Sequence, residues 1–322
     1  MPQSSLNGHD AAPASRVLLT GVARSGTSWL GQALGRADGV RYYYEPDNID
    51  ADPTGTRPAG GLGFGPYPMI SPGEENNPFA SVWDMAFAGR LPSVDHGPLL
   101  RAARAALRLP RSMRDPLVRG VAAAALRMPP RPKPTVVKSV YALFSLDWLV
   151  DRYRPRVVAI QRHPLNVISS WRQLQIPLFD LASRPAVTRR FLEPLGIAPP
   201  PSNATELTRI AWHVGLLTHV LGDAVERFPD WRLVTHEDLC LAPITGMREI
   251  FEWLGLIWTA DVERFLAASN RPGEGLQPIR VTTDQPNRWR ERLTVAEVEE
   301  IEGVLERFPR SGWVRKPTSD AR

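Results

Sequence analysis

Short apolar runs alternate along the chain with longer segments whose apolar residues recur at helical spacing. Five runs predict buried β-strands: 16–20, 40–44, 135–138, 156–160 and 232–235. The helical spacing predicts helices that begin near Thr27 and at Pro164, and others over 147–153, 204–228, 245–254 and 294–308. This alternation predicts an α/β fold with three layers, in which helices flank a five-stranded parallel sheet on both faces.

The segment after the second predicted strand breaks this pattern. From Asp47 to about Leu91 the chain is rich in Gly, Pro and Asn, which predicts a loop or an insertion without regular structure. Two helices are predicted after it, over 99–109 and 117–128. We therefore expect one domain over 16–316 with a variable insertion at about 47–134. A disordered leader over 1–15 and a tail over 317–322 would flank it.

Polar residues follow the predicted strands at the points where the strands end. Arg24, Glu45, Lys138 and Arg162 each fall at such an end or shortly after it. Ligands of parallel sheets bind beyond the carboxyl ends of the strands. The four side chains are therefore expected to converge on one crevice.

A glycine loop joins the first strand to the first helix. Gly21 and Gly26 have the spacing G-x-x-x-x-G of a phosphate loop, whose backbone amides and helix N-terminus bind anions. A loop that binds nucleoside triphosphates continues with lysine, but Thr27 stands there in this chain. This difference disfavours a nucleotide kinase, which we keep as an alternative, and favours a less highly charged ligand.

The loop sequence is more specific than its spacing. Arg24-Ser25-Gly26-Thr27-Ser28-Trp29-Leu30 resembles the 5′-phosphosulfate loop of sulfotransferases that use 3′-phosphoadenosine 5′-phosphosulfate (PAPS). The resemblance implies that Arg24 contacts the phosphosulfate bridge and that Ser25, Gly26, Thr27 and Ser28 bind the 5′-phosphate. It also implies that Trp29 stacks on adenine; the alternative is that Trp29 is only a core residue of the helix.

A second segment resembles the 3′-phosphate motif of the same family, in which R-x-P is followed by a serine. Arg162-His163-Pro164 is followed by Ser170, eight positions after the arginine. The resemblance implies that Arg162 and Ser170 bind the 3′-phosphate. His163 is interpreted as a residue of the helix entry and not as a base. Later blocks at 235–256 and 287–294 also resemble the family, so the likeness runs from about residue 16 to 313 and thins across 47–134.

The catalytic base is predicted from a departure within the family pattern. Aryl and steroid sulfotransferases carry a histidine base two residues after a strand-end lysine, and Val140 occupies that position after Lys138. Carbohydrate sulfotransferases instead use a glutamate after the second strand, where Glu45-Pro46 stands here. The resemblance therefore implies Glu45 as the base, with Asp47 as a weaker alternative. Lys138 is assigned to the leaving-group side, and Arg24 assists there.

Composition bears on disulfides, metal sites, membrane spans and cellular location. The single cysteine, Cys240, excludes an internal disulfide and offers no metal cluster by itself. No segment approaches the roughly 18 consecutive apolar residues of a membrane span, and residues 1–15 lack the apolar run of a signal peptide. PAPS is used in the bacterial cytoplasm, so we expect a cytoplasmic bacterial enzyme that needs no metal.

Basic residues are concentrated between Pro98 and Pro134. Nine basic residues there face one acid, Asp115, so this segment carries +8 and the rest −3 within a net charge of +5. This local basicity does not indicate a nucleic-acid-binding fold. The arginines of 99–109 share one helical face, which is either solvated or contacts an anionic membrane or glycan through 99–128. The second reading would allow peripheral binding at the inner membrane face.

These observations predict a sulfotransferase that moves the sulfuryl group of PAPS to a hydroxyl acceptor by in-line attack with a glutamate base. The resemblance to the carbohydrate branch implies a carbohydrate or glycolipid acceptor. A small-molecule acceptor, a P-loop kinase-like phosphotransferase and a non-catalytic PAP or PAPS binder remain alternatives. The sequence does not predict an oligomeric state.

Overall fold

The computed structural model of the chain describes residues 15–48, 66–74, 78–89, 133–273, 275 and 279–310. The predicted helices over 99–109 and 117–128 lie outside these residues. So do the tail over 317–322 and all of the predicted leader except Ser15.

Five parallel strands form the central sheet. They are β1 (Arg16–Gly21), β2 (Arg41–Tyr44), β3 (Thr135–Ser139), β4 (Arg156–Gln161) and β5 (Arg232–Thr235). Their order across the sheet is β2-β3-β1-β4-β5, and every neighbouring pair is parallel. The predicted strands and the predicted α/β class are therefore confirmed.

The three central strands are apolar because both of their faces are covered. Every residue of β3 is buried, as is every residue of β1 after Arg16. Successive side chains of a strand point to opposite faces, and β1 divides accordingly. Leu18 belongs to one core cluster, whereas Val17 and Leu19 belong to the other. A sheet with an apolar core on each face is the three-layer arrangement that the sequence predicts.

Helices follow most of the strands and cover the sheet. They are α1 (Thr27–Leu34), α2 (Pro78–Phe87), α3 (Leu146–Tyr153), α4 (Pro164–Gln173), α5 (Pro185–Val187), α6 (Glu206–Arg227), α7 (His236–Leu241), α8 (Pro243–Leu254), α9 (Ala260–Ser269) and α10 (Val295–Leu305). A turn of 3₁₀ helix, Tyr141–Ser145, links β3 to α3. Across the described parts of the chain, no helix has both the length and the apolar character to cross a bilayer.

Threonine side chains define where several helices begin. Thr205, Thr235, Thr259 and Thr294 each accept a hydrogen bond from a backbone N–H in the first turn of the following helix. Such caps satisfy donors that the helix itself leaves unpaired. The cap at Thr235 matters for the site, because it turns the chain sharply from β5 into α7.

The prediction of a segment without regular structure from Asp47 to about Leu91 is wrong for part of its length. Residues 78–87 form α2, which buries Phe79, Val82, Trp83 and Ala86 on one face. These four residues have helical spacing, but the surrounding Gly, Pro and Asn residues obscured it. Burial of aromatic side chains stabilises a helix whose local sequence gives a weak signal.

Candidate active site

A cleft of about 290 Å³ opens at the carboxyl edge of the sheet. Arg24, Glu45, Lys138 and Arg162 all line it, as the positions of the strand ends predicted. Strand β3, which carries Lys138, and the segments after β1, β2 and β4 therefore deliver four charged side chains to one place. The described residues that line it are Ala23, Arg24, Gly26, Thr27, Ser28, Trp29, Tyr44, Glu45, Asn48, Lys138, Val140, Tyr141, Arg162, Ile176, Pro177, His236, Cys240, Ser269, Arg280, Thr282 and Gln285.

The glycine loop forms the floor of the cleft and is closely packed. Gly26 has φ +97°, and a Cβ atom there would lie 2.3 Å from Cδ2 of His236. A Cβ at Gly21 would lie 2.5 Å from the carbonyl oxygen of Ile160. The two glycines thus let the loop pass between β4 and α7 and enter α1 at Thr27. The Oγ of Ser25 is buried in the loop and has no hydrogen-bond partner among the described residues.

Arg24 holds an unusual backbone conformation and is tied to the predicted 3′-phosphate serine. Its φ is +76°, in the left-handed region that non-glycine residues seldom adopt. Its Nε donates to Ser170 Oγ at 3.2 Å, and Nη2 donates to the carbonyl of Gly275 at 3.3 Å. Burial and the nearby Arg280 lower the pKa of Arg24. The structure therefore brings together Arg24, which the sequence analysis assigned to the phosphosulfate of the donor, and Ser170, which it assigned to the 3′-phosphate.

Arg162 is a partly buried cation that lies against the glycine loop. Its Nη1 donates to the carbonyl of Arg24 at 3.0 Å, and Nη2 to Oε1 of Gln285 at 3.5 Å, while Nε has no partner. Burial lowers the pKa of Arg162 to about 10, and Glu237 partly opposes that effect. A guanidinium with an unused donor beside a phosphate loop is suited to bind an anion.

Trp29 is both a core residue and part of the cleft wall. Only 6% of its surface is exposed, and its Nε1 donates to Ser269 Oγ at 3.0 Å. His236 meets it edge-on, with ring centroids 6.3 Å apart. Burial and the two neighbouring arginines hold the pKa of His236 well below its usual range, so its ring is neutral. These contacts fix the orientation of the Trp29 ring, and the ring of His236 lies beside it in the lining of the cleft.

Glu45 and Lys138 form a buried ion pair on the opposite side of the cleft. Lys138 Nζ donates to Glu45 Oε1, and Asn48 Nδ2 donates to Oε2 at 2.7 Å. The backbone N–H of Glu45 also donates to the carbonyl of Lys138 at 2.7 Å. Lys138 Nζ lies 4.4 Å from the ring centroid of Tyr44. The carboxylate is thus fixed by two side chains and one backbone bond at the cleft surface.

Asp47, the weaker candidate for the base, is placed differently. It is buried, and it is absent from the described residues that line the cleft. Its Oδ2 accepts a hydrogen bond from Ser139 Oγ at 2.7 Å. Of the two carboxylates after β2, only Glu45 faces the cleft.

Apolar and aromatic side chains form part of the cleft wall. Val140, Tyr141, Ile176 and Pro177 line the cleft together with Tyr44. Val140 occupies the position at which aryl and steroid enzymes carry a histidine. The charged and amide side chains that β3 and the chain after β2 contribute to the described lining are those of Glu45, Asn48 and Lys138.

His163 has the structural role that the sequence suggested. Its Nδ1 accepts a hydrogen bond from the N–H of Leu165 at 3.3 Å at the start of α4. Its ring stacks on Trp289 with an interplanar angle of 17°. It is also absent from the described lining of the cleft.

Besides Asn48, five polar residues of the cleft were not singled out from the sequence: His236, Ser269, Arg280, Thr282 and Gln285. They reach the cleft from α7, the end of α9 and the chain that follows it. His236 stands in a block that resembles the family, which was the one available signal for it. Within the described ranges, no group of three or more His, Cys, Asp or Glu residues is arranged to hold a metal ion.

No known family model matches this chain, and no curated protein matches it in sequence. Solved structures with a similar fold include the sulfotransferase domain of the curacin biosynthetic pathway. It is 11% identical, with a TM-score of 0.49, and the match covers 91% of this chain and 98% of that domain. A mouse sulfotransferase complexed with PAP is 10% identical (TM-score 0.42), with coverage of 92% and 85%.

A sulfotransferase of Mycobacterium avium is 15% identical (TM-score 0.44), with coverage of 92% of this chain and 76% of that one. All three are sulfotransferases by name.

Proposed function

We propose that this protein is a PAPS-dependent sulfotransferase that acts on a hydroxyl acceptor. The observation that carries the proposal is the convergence of Arg24, Glu45, Lys138 and Arg162 on one cleft above a phosphate loop. That loop lacks the lysine of nucleoside triphosphate enzymes. In this proposal, the cations of the cleft would bind a nucleotide that carries phosphate at two positions.

The residues that are present are suited to the donor. Arg162 Nε and Ser25 Oγ are buried polar atoms without hydrogen-bond partners among the described residues. Arg162 and Ser170 would hold the 3′-phosphate, and Ser25, Gly26, Thr27 and Ser28 the 5′-phosphate. Trp29 would contact the adenine, with the neutral His236 ring beside it.

When bound, PAPS supplies an activated sulfuryl group. Glu45 accepts the proton of the acceptor hydroxyl while the hydroxyl oxygen forms the new bond to sulfur. The bond between sulfur and the bridging phosphate oxygen breaks, and the products are a sulfate ester and PAP. Arg24 and Lys138 stabilise the negative charge that develops on the leaving oxygen. Lys138 therefore contacts the proposed base, Glu45, and would also contact the leaving oxygen of the donor.

For the acceptor we propose a glycolipid or a similar uncharged amphiphile in preference to a charged glycan. The wall of the cleft includes Val140, Tyr141, Ile176 and Pro177 as well as Glu45, and these four residues offer apolar surface to an acceptor. A charged or heavily hydroxylated acceptor would leave polar groups unpaired against this wall, at about 1–3 kcal/mol for each. An acceptor with one reactive hydroxyl beside apolar surface avoids that cost.

Calorimetry with PAP and with ATP, followed by transfer from radiolabelled PAPS, tests the proposal. We expect PAP to bind at least tenfold more tightly than ATP. We also expect octyl β-glucoside to be sulfated faster than glucose or a heparin-type oligosaccharide. Tighter binding of ATP with phosphoryl transfer would favour the kinase. Binding of PAP without transfer to any acceptor in an unbiased mass-shift screen of cell extract would favour the non-catalytic binder.

Replacement of the proposed base separates catalysis from binding. Glu45→Gln keeps an oxygen that accepts from Lys138 but cannot take up the acceptor proton, so we expect kcat to fall by about 10²- to 10⁴-fold. PAP affinity should change little. The matched control is Glu249→Gln, which alters an exposed glutamate that pairs with Arg232. Full transfer activity in Glu45→Gln would show that another group is the base.

A further inference from the structure

A second buried carboxylate lies directly behind the proposed base. Asp47 follows Glu45 by two residues, and Ser139 follows Lys138 by one. The pairs Glu45–Lys138 and Asp47–Ser139 therefore connect the ends of β2 and β3 twice in succession. The first pair faces the cleft, and the second lies in the protein interior.

Ser139 connects Asp47 to the wall of the cleft. Its Oγ donates to Asp47 Oδ2 at 2.7 Å and accepts from the backbone N–H groups of Tyr141 and Ala142, both at 3.1 Å. These bonds begin the 3₁₀ turn Tyr141–Ser145. Because Val140 and Tyr141 line the cleft, the Asp47–Ser139 pair fixes the wall beside Glu45 as well as the loop that carries it.

The other oxygen of Asp47 has no hydrogen-bond partner. Oδ1 is buried and unpaired among the described residues. A carboxylate with one unpaired buried oxygen is costly to keep ionised, because a low-dielectric interior solvates a charge poorly. Burial in the folded protein therefore shifts the equilibrium of Asp47 toward its neutral, protonated form.

Electrostatic coupling extends from Asp47 to the proposed base. Burial raises the pKa of Asp47 to about 7. The hydrogen bond from Ser139 and the charge of Lys138 oppose this rise, whereas the charge of Glu45 adds to it. Tyr67 also faces this group, and burial with Tyr141, Glu45 and Asp47 raises its pKa well above the usual range, so it stays neutral. Arg184 reaches this region by donating to the carbonyl of Tyr67 at 2.6 Å.

We propose that Asp47 is a positioning residue for the sulfuryl transfer proposed above, and that its ionisation makes proton uptake by Glu45 more favourable. Two neighbouring carboxylates repel each other, and transfer of the acceptor proton to Glu45 removes one of the two charges. Ionised Asp47 therefore promotes that step, and protonated Asp47 does not. The inference rests on the proposed function, because it requires Glu45 to act as the base.

The sign of the pH dependence follows from this coupling. Asp47 is protonated below about pH 7 and ionised above it. With saturating PAPS, kcat should rise with pH through this range. Asp47→Asn keeps an oxygen that accepts from Ser139 but cannot ionise, so its profile should lack the rise. At pH 8 its kcat should be about tenfold below that of the parent, with unchanged PAP affinity.

Ser139 variants provide the matched comparison. Since its hydrogen bond lowers the pKa of Asp47, Ser139→Ala should move the rise in kcat to higher pH. Ser139→Thr keeps the hydroxyl and should restore the parent profile. A merely structural role for Ser139 would lower kcat equally at every pH and would not move the profile.

Infrared titration of the whole protein gives a readout that needs no turnover. The carbonyl band of a protonated carboxylic acid should disappear as the pH rises through about 7, should shift in Ser139→Ala and should be absent from Asp47→Asn. Loss of the band near pH 4, or a parent-like rate profile in Asp47→Asn, would overturn the role of Asp47 and leave the proposed function standing. Absence of transfer with every acceptor would overturn the proposed function, and the role of Asp47 with it.

Discussion

At the residue scale, the site contains residues whose backbone conformation or buried charge lowers the stability of the folded protein. Arg24 and Glu45 both have positive φ, Lys138 and Glu45 are buried charged groups, and Arg162 is a partly buried one. A non-glycine residue in the left-handed region costs about 1–2 kcal/mol, and a buried charge costs more unless it is paired. Such costs persist where the surrounding fold imposes them, as at binding and catalytic sites.

The buried guanidinium of Arg162 should dominate donor affinity. Arg162→Ala removes the cation that faces the glycine loop, and we expect PAP binding to weaken by about a hundredfold, or roughly 2.7 kcal/mol. Arg24→Ala and Ser170→Ala should weaken it by smaller factors, because each leaves Arg162 in place. Calorimetry measures all three.

The control for these variants is Arg264→Ala, which removes an exposed arginine that pairs only with Asp261 three residues earlier. Its PAP affinity should match that of the parent. Unchanged affinity in both Arg24→Ala and Ser170→Ala would contradict the site as described.

At the element scale, the glycine loop depends on packing against α7. The Cβ that alanine would add at Gly26 overlaps the ring of His236, which is itself buried. Movement of that ring would disturb Trp29 and the adenine end of the cleft. The loop and the start of α7 therefore act as one unit.

Gly26→Ala should lower both stability and PAP affinity. Gly39→Ala is the matched control, because Gly39 also has positive φ (+71°) but has open space where its Cβ would lie. The control should cost about 1 kcal/mol, for backbone strain alone. Gly26→Ala should cost several times more in thermal or urea unfolding, and equal costs in the two variants would show that the contact with His236 is unimportant.

The sequence predicted the elements whose signals are local and strong. The strands were found because runs such as Val157–Ile160 are apolar on both faces, and the strand ends located Arg24, Glu45, Lys138 and Arg162 together. Helix α2 was missed because Gly, Pro and Asn residues surround it. Helices α7 and α9 were missed because their apolar patterns are too short to predict a helix. Packing stabilises them in the fold: α7 packs on α8, and α9 packs on α1 and α8.

The same limit applies within the site. The pairing of Lys138 with Glu45 joins residues 93 positions apart, and no pattern along the chain encodes that distance. The placement of Asp47 behind Ser139 likewise depends on the register of β2 against β3. Sequence reasoning identified which residues gather at the sheet edge but not which of them pair there.

At the scale of the whole molecule, charge is unevenly distributed. The segment from Pro98 to Pro134 carries nine basic residues and one acid, while the chain as a whole carries +5. Residues 98–132 of this segment lie outside the described residues, so the inference about it remains one from sequence. A local excess of arginine attracts anionic surfaces, and salt screens that attraction.

We expect the full-length protein to bind vesicles that contain 30% phosphatidylserine at low salt. Binding should fall at least tenfold when the salt concentration rises to about 0.5 M, where the screening length is only a few ångströms. Vesicles of phosphatidylcholine alone are the control. Sedimentation with equal partitioning to neutral and anionic vesicles would show that the arginines form a solvated face.

The strand order also sets when this site can form during synthesis. The strand made first, β1, lies at the centre of the sheet, and its neighbours are β3 and β4. Leu18 pairs with Val137 and Val157, so well over a hundred residues must leave the ribosome before both edges of β1 are covered. Until then the glycine loop has no β4 carbonyl and no α7 ring to pack against. A nascent chain therefore exposes an edge of its buried central strand until β4 (Arg156–Gln161) has emerged, and donor binding becomes available only as β5 and the helix after it emerge.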